Sequence, residues 1–306
     1  MLPIKLQLPE DFLKEETRSN YTISSKMKEV WAVELDLLSE FDRICRKYNL
    51  KYFADSGTLI GAVRHSGFIP WDDDIDLVMM RKDYDILLKV APQELKQPFF
   101  LQNAYSDEKY VRGHSQLRNS NTTAYIAEDI GRPYNKGIFI DIFVLDNLPD
   151  DEVEYQKYKK KIIRWWKIVN ALYYDKTSYH TIKGRILGNF CKVFYKIVDY
   201  RKVYKHYENI CAKYKNIQTK RVSYIAYSLG KEKHIWEKEW FESSINISFE
   251  FTKIPAPVAY DERLKKEYGD YMVIKHAPTS HGDVTLDANT PYKKYLNRKE
   301  FNNEKI

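Results

Sequence analysis

A chain of 306 residues with 43% apolar and 30% charged side chains is long enough for one large domain or two modest ones with a sizeable core. No stretch approaches the roughly 20 uninterrupted apolar residues that a membrane span needs, and MLPIKLQLPEDF lacks the basic-then-apolar order of a signal peptide, so the expected address is the cytoplasm. Cys45, Cys191 and Cys211 form no CxxC pair and argue against a disulfide framework or a cysteine zinc site, while the net charge of +7 suits anionic partners as well as plain solubility.

Residues 1–23 read as an arm. From 24 to 48, Met27, Val30, Trp31, Leu37, Leu38, Phe41, Ile44, Cys45 and Tyr48 recur at three- and four-residue steps, the stripe of an amphipathic helix with Ser24 or Ser25 as its cap. A strand is expected over Leu50–Ala54, then a turn at Ser56-Gly57-Thr58 into a helix ending near residue 65. Pro70 and Trp71 break the chain before a strand at 74–79, followed by a helix over Asp83–Val90. Further strands are expected at Phe99–Gln102, Ser115–Leu117 and Gly137–Leu145, the last apolar enough to be buried on both faces. The composition then shifts to Lys, Tyr and Trp in helical patterns over 152–174, 181–198 and 200–215, with a boundary at Asp146–Asp151. YIAYSLG and FESSINISFEFTKIPAP read as a polar aromatic region returning to the site, Tyr260–Tyr271 as a helix ended at Gly269, and the tail after 296 as disordered. The fold class is therefore α+β with a mixed sheet, organised as a core over 24–149 and a mainly helical region over 150–306.

The chemistry concentrates in YFADSGTLIGAVRHSGFIPWDDDIDLVM, residues 52–79, and GIFIDIFVLD, residues 137–146. On a strand, Asp74 and Asp76 share one face about 7 Å apart, and Asp141 could join them from a neighbouring strand. Carboxylates crowded in this way repel unless cations lie between them, and Mg²⁺ or Mn²⁺ accept oxygen ligands while keeping places for water and phosphate. Gly57 lets backbone approach a phosphate, and the amides of a helix start favour anions.

The run from Gly57-Thr58-Leu59-Ile60-Gly61-Ala62-Val63-Arg64-His65 to Gly67-Phe68-Ile69-Pro70-Trp71-Asp72-Asp73-Asp74-Ile75-Asp76 resembles the signature of the LicD and fukutin-related phosphotransferase family. Leu117-Arg118-Asn119-Ser120 and Tyr268-Gly269-Asp270-Tyr271-Met272 resemble further segments of it. The resemblance implies a core similar to the nucleotidyltransferases related to polymerase beta, whose small-residue turn, acid-x-acid strand and third acid match Ser56 to Thr58, Asp74 with Asp76, and Asp141. It also implies transfer of a phospho-alcohol, foremost phosphocholine from CDP-choline, onto a hydroxyl of a cell-surface glycan or teichoic acid precursor.

On this reading Asp74 and Asp76 ligate metal, and Asp141 either completes the site or accepts the proton of the attacking hydroxyl. Ser56, Gly57, Thr58, Arg64, His65 and Arg118 are candidate phosphate or ribose contacts. Trp71, Tyr268 and Tyr271 are candidate aromatic partners for a choline ammonium, each weighed against ordinary packing. The expected partners are a CDP-linked donor and a glycan or lipid-linked acceptor. The basic aromatic helix 155–174 offers a peripheral contact at the inner face of the plasma membrane, and no nucleic acid is expected. A nucleotide-sugar glycosyltransferase using Asp74-x-Asp76 is the rival enzyme, but it leaves the glycine turn and Asp141 without a role. A basic module binding membrane or nucleic acid would be the non-enzymatic alternative and would need its positive charge gathered on one face.

Overall fold

The structure, a computed structural model, describes residues 2–126, 129, 131–173, 186, 189, 199–275 and 284–296. Of the helix expected over 181–198 only residues 186 and 189 are described, and the tail after 296 lies outside the described residues.

An N-terminal hairpin, β1 (Glu16–Arg18) with β2 (Tyr21–Ile23), leads into helix α1 (Ser25–Lys47). The Ser24 hydroxyl caps this helix by accepting from the Met27 amide at 3.2 Å. Its apolar stripe, including Trp31, Leu37, Leu38 and Phe41, is buried against the sheet. Cys45 and Cys211 are buried free thiols.

The strand after α1 is shorter than expected: β3 comprises Phe53–Ala54, because only these residues find a ladder partner, in β4 (Asp76–Met80). Helix α2 (Ser56–His65) fills the interval between them, and α3 (Arg81–Glu94) follows β4. Gly61 is required where α2 crosses the Gly67–Ile69 segment, since a Cβ there would stand 2.4 Å from the Gly67 carbonyl oxygen. Next come β5 (Phe99–Gln102), β6 (Ser115–Asn119) and β7 (Thr123–Tyr125), then the eleven-residue β8 (Ile138–Leu148).

Strand β8 organises the mixed sheet. It runs parallel to β4, pairing Asp141 with Asp76 and Leu145 with Met80, and antiparallel to β6, pairing Asp141 with Gln116. Its far end pairs antiparallel with β9 (Arg221–Ser223), which carries β10 (Trp236–Glu237). Two strands from beyond residue 150 thus join the same sheet.

The remaining helices are α4 (Glu152–Tyr173), α5 (Tyr200–Cys211), the single turn α6 (Ile225–Ser228), α7 (Tyr260–Tyr268) and α8 (Tyr292–Leu296). Helices α4 and α5 share an aromatic core built on Tyr155, Tyr158, Ile162, Tyr204 and Tyr207. Arg81 fastens this core to the sheet: its guanidinium donates twice to Asp146 at 2.8 Å and once to Glu208 at 3.2 Å. The segment FESSINISFEFTKIPAP forms a hairpin, β11 (Ser244–Phe249) with β12 (Thr252–Pro257), and β13 (Thr285–Asp287) pairs with β7. The α+β class with a mixed sheet therefore holds, with more strand beyond residue 150 than the sequence suggests.

Candidate active site

Strand β4 opens at Asp76, so Asp74 lies in the extended approach to the strand instead of on it. Neither neighbour ladders with the chain before Asp76, although the Asp141 amide still donates to the Ile75 carbonyl at 2.8 Å. The approach is held on two sides. The Trp31 indole donates to the Asp72 carbonyl at 3.1 Å, and the Asp76 amide donates to the Thr58 hydroxyl at 2.8 Å. Trp31 is itself fixed by stacking on Phe68 at 4.5 Å.

The parallel register does the rest. With Asp76 opposite Asp141, one carboxylate oxygen from each of Asp74, Asp76 and Asp141 lies within 4.8 Å of the other two, close enough to share a metal ion. An all-oxygen donor set of this kind fits a hard divalent cation. Burial, then Asp72, drives the Asp74 carboxyl well above its ordinary range. Burial, then Asp74 and Asp141, does the same to Asp76. Glu34, buried on α1 behind this loop, is pushed up by burial and then by Asp74.

These acids floor a cavity of about 520 Å³. One wall is the start of α2, with Ser56, Gly57, Ile60 and Arg64 facing inward; Ile69 and Trp71 continue it. Ser56 takes a positive φ of 46°, a strained backbone for an L-residue of a kind often stored at functional turns. A Cβ on Gly57 would stand 2.5 Å from Asp72 Oδ2, so a larger residue here would make the Asp72 carboxylate swing away from the turn. Asp55 precedes the helix without capping it; its carboxylate instead accepts from the Ser56 hydroxyl and meets the Arg263 guanidinium.

The opposite wall comes from Phe143 on β8 and, in the second half of the chain, from Tyr224, Tyr227, Lys233, His234, Glu267, Tyr268, Tyr271 and Lys275. Arg263 is fully buried beneath it, against Asp55, 3.2 Å from Glu267 and over the Trp236 ring at 4.4 Å. Glu267 also meets His234 at 3.1 Å. Burial raises the Asp55 carboxyl to about 6 in spite of Arg263.

Among the expected contacts, Asp74, Asp76, Asp141, Ser56, Gly57, Arg64 and Trp71 are brought together on the cavity. Three others lie elsewhere. Thr58 is buried under Asp76. His65 accepts from Arg64 Nε at 2.9 Å and lies 3.3 Å from the Ser19 hydroxyl, its pKa lowered to about 4 chiefly by burial. Arg118 is buried between strands, donating to Gln102, Gly137 and Gln116. His114, which no local pattern marks, stands with Nε2 3.2 Å from Asp141 Oδ1, because β6 starts beside Asp141 in the register.

Residues 49–147 match the family described as LicD/FKTN/FKRP, nucleotidyltransferase domain. This segment is similar to LicD-family domains. It contains Asp74, Asp76 and Asp141 together with the α2 turn, whereas the opposite cavity wall lies mostly outside it. The chain is 29% identical over 255 residues to the lipopolysaccharide cholinephosphotransferase LicD of Haemophilus influenzae, covering 80% of this chain and 91% of that protein. It is also 33% identical over 139 residues to an uncharacterised protein of Rickettsia prowazekii, covering 45% of this chain and 47% of that one. Among the described residues no helix is long and apolar enough to cross a membrane.

Proposed function

We propose that this chain is a metal-dependent phosphotransferase that moves a substituted phosphate, foremost phosphocholine, from a CDP-linked donor onto a hydroxyl of a cell-surface saccharide such as lipopolysaccharide. The observation that carries the reading is the pairing of Asp76 with Asp141, which gathers three carboxylates under the uncapped start of α2. The core is read as nucleotidyltransferase-like, and the region beyond residue 150 as completing the site. Similarity to a lipopolysaccharide cholinephosphotransferase over most of both chains supports the donor and acceptor classes.

A Mg²⁺ or Mn²⁺ ion held by Asp74, Asp76 and Asp141 would offset charge on the donor diphosphate. The chain's own groups do the rest. The α2 start receives phosphate oxygens through Ser56 and the backbone at Gly57, the helix dipole favouring the negative charge. Arg64, Lys233 and Lys275 supply positive charge around the cavity. The acceptor oxygen attacks the phosphorus that bears the alcohol, the bridging P–O bond breaks, CMP departs with that oxygen, and the hydroxyl proton passes to a nearby base. His114 holds Asp141 in orientation. A lipid-linked acceptor would be met at the inner membrane face, where Lys157, Lys160, Lys161, Arg164 and Lys167 on α4 are exposed together.

The test is thermal shift with Mg²⁺ across CDP-choline, CDP-glycerol, CDP-ribitol and UDP-sugars, followed by phosphorus NMR of the product. A stabilising CDP compound and a phosphodiester product support the reading. A glycosidic product, or no shift with any CDP compound, rejects it. Asp141→Asn separates the two roles of that acid: loss of Mg²⁺ binding marks a ligand, while retained binding with lost turnover marks the base.

A further inference from the structure

Three aromatic rings close one end of the cavity. Phe143 follows Asp141 by two residues on β8, so strand alternation sets both side chains on the cavity face, about 7 Å apart along the strand. Tyr224 and Tyr227 arrive from the turn at α6. Their ring centres stand 5.4 and 4.9 Å from that of Phe143 and 6.0 Å from each other, with mutual tilts of 39°, 58° and 69°. Phe143 and Tyr224 are buried, whereas Tyr227 is 49% exposed, so two fixed rings back a third that borders solvent. His114 packs on Phe143 at 4.9 Å and on Tyr227 at 5.5 Å, joining the rings to the carboxylate that it meets.

Ring faces carry negative potential, and carboxylates adjoin them. A group suited to this corner is cationic and has no N–H donors to satisfy. We propose that Phe143, Tyr224 and Tyr227 form a subsite for a quaternary ammonium on the transferred group, and that this subsite selects phosphocholine over uncharged phospho-alcohols. The inference rests on the CDP-donor reading above and deepens it. In phosphocholine two carbons separate the ammonium from the ester oxygen, so a phosphate held beside Asp141 keeps the ammonium within the two-residue strand step, about 7 Å, that leads to Phe143. Trp71, one of three aromatics that the sequence offers for this role, lines the same cavity with its ring 5.9 Å from Tyr21 and 6.4 Å from His65.

Calorimetric titration with Mg²⁺ present tests this, using CDP, CDP-glycerol and CDP-choline on the full chain and on Tyr227→Ala, Tyr227→Phe and Phe143→Leu. The native chain is expected to prefer CDP-choline to CDP-glycerol about tenfold. Tyr227→Ala should erase most of that preference and Tyr227→Phe should keep it. Phe143→Leu should erase it too, with a thermal melt on each variant to establish folding. Equal native affinity for CDP-choline and CDP-glycerol overturns the subsite while leaving the phosphotransferase standing. Equal weakening of all three ligands by Tyr227→Ala overturns it as well, since the rings would then stack on the cytosine. A native chain that binds no cytidine diphosphate removes the donor reading and the subsite with it.

Discussion

Replacing Arg263 with Met tests whether the far half of the chain holds the turn at the start of α2 in place. The guanidinium is fully buried and serves two buried carboxylates, Asp55 before α2 and Glu267 on α7. Methionine retains much of the packing over Trp236 but removes the charge from both acids. Breaking a buried ion pair by deleting one partner costs about 3–5 kcal/mol, because the surviving charge is left without compensation. With an unfolding entropy of about 2.1 cal/mol/K per residue, a chain of 306 residues loses about 1.5 °C per kcal/mol, so the melting temperature at pH 7 should fall by about 5–8 °C. The loss should depend on pH. Asp55 titrates at about 6 in the folded chain, above its ordinary 3.8, so below about 6 it is already protonated and contributes no ion pair for the variant to lose. Part of the penalty persists to lower pH through Glu267, which His234 and Arg263 pull below its ordinary value against the opposing effect of burial. The assay is thermal and denaturant unfolding of Arg263→Met, Asp55→Asn and the double variant near pH 5 and 7. The double variant should cost less than the sum of the singles. A loss under about 1 kcal/mol at pH 7, a penalty that does not shrink on acidification, or simple additivity would refute the reasoning.

Gly57→Ala should leave stability within about 1 kcal/mol, since alanine favours helix, yet it drives a methyl against Asp72 Oδ2; binding of CDP with Mg²⁺ should weaken roughly tenfold, and unchanged affinity would show that the close approach serves no ligand. Asp74 and Asp76 have folded-state pKa values well above 3.8, so the folded chain keeps protons that the unfolded chain has released, and metal-free stability should fall as pH rises from about 4 through the raised values. Added Mg²⁺ should raise the melting temperature more strongly toward the top of that window, where its ligands are free of protons; a Mg²⁺ effect that is flat or declining with pH would count against these acids as ligands.

Much of the site could be read from linear spacing because helix and strand periods sort residues by face. Along α2 the cavity-facing positions are 56, 57, 60 and 64, one stripe of a 3.6-residue repeat, and along β8 they are 141 and 143, one face of a two-residue repeat. The same periods explain the residues that fall elsewhere. Thr58 is about 100° round the helix from Gly57, which turns its hydroxyl under Asp76, and His65 is displaced by a similar angle from Arg64. Arg118 shows where the linear reading stops: its strand pairs with β8 and its guanidinium is spent on carbonyls and amides between strands. His114 and the Asp55–Arg263 contact depend on which strands become neighbours, and residues 55 and 263 meet only after two hundred intervening residues have folded. The motif-bearing half could be located because its acids repel and must be explained together, whereas the partnering wall is built mainly of tyrosines, two lysines, a glutamate and a histidine whose chemistry arises from their position across the cavity. The LicD-family match has the same asymmetry, since it ends at residue 147 and the wall that would choose the transferred group lies almost entirely beyond it.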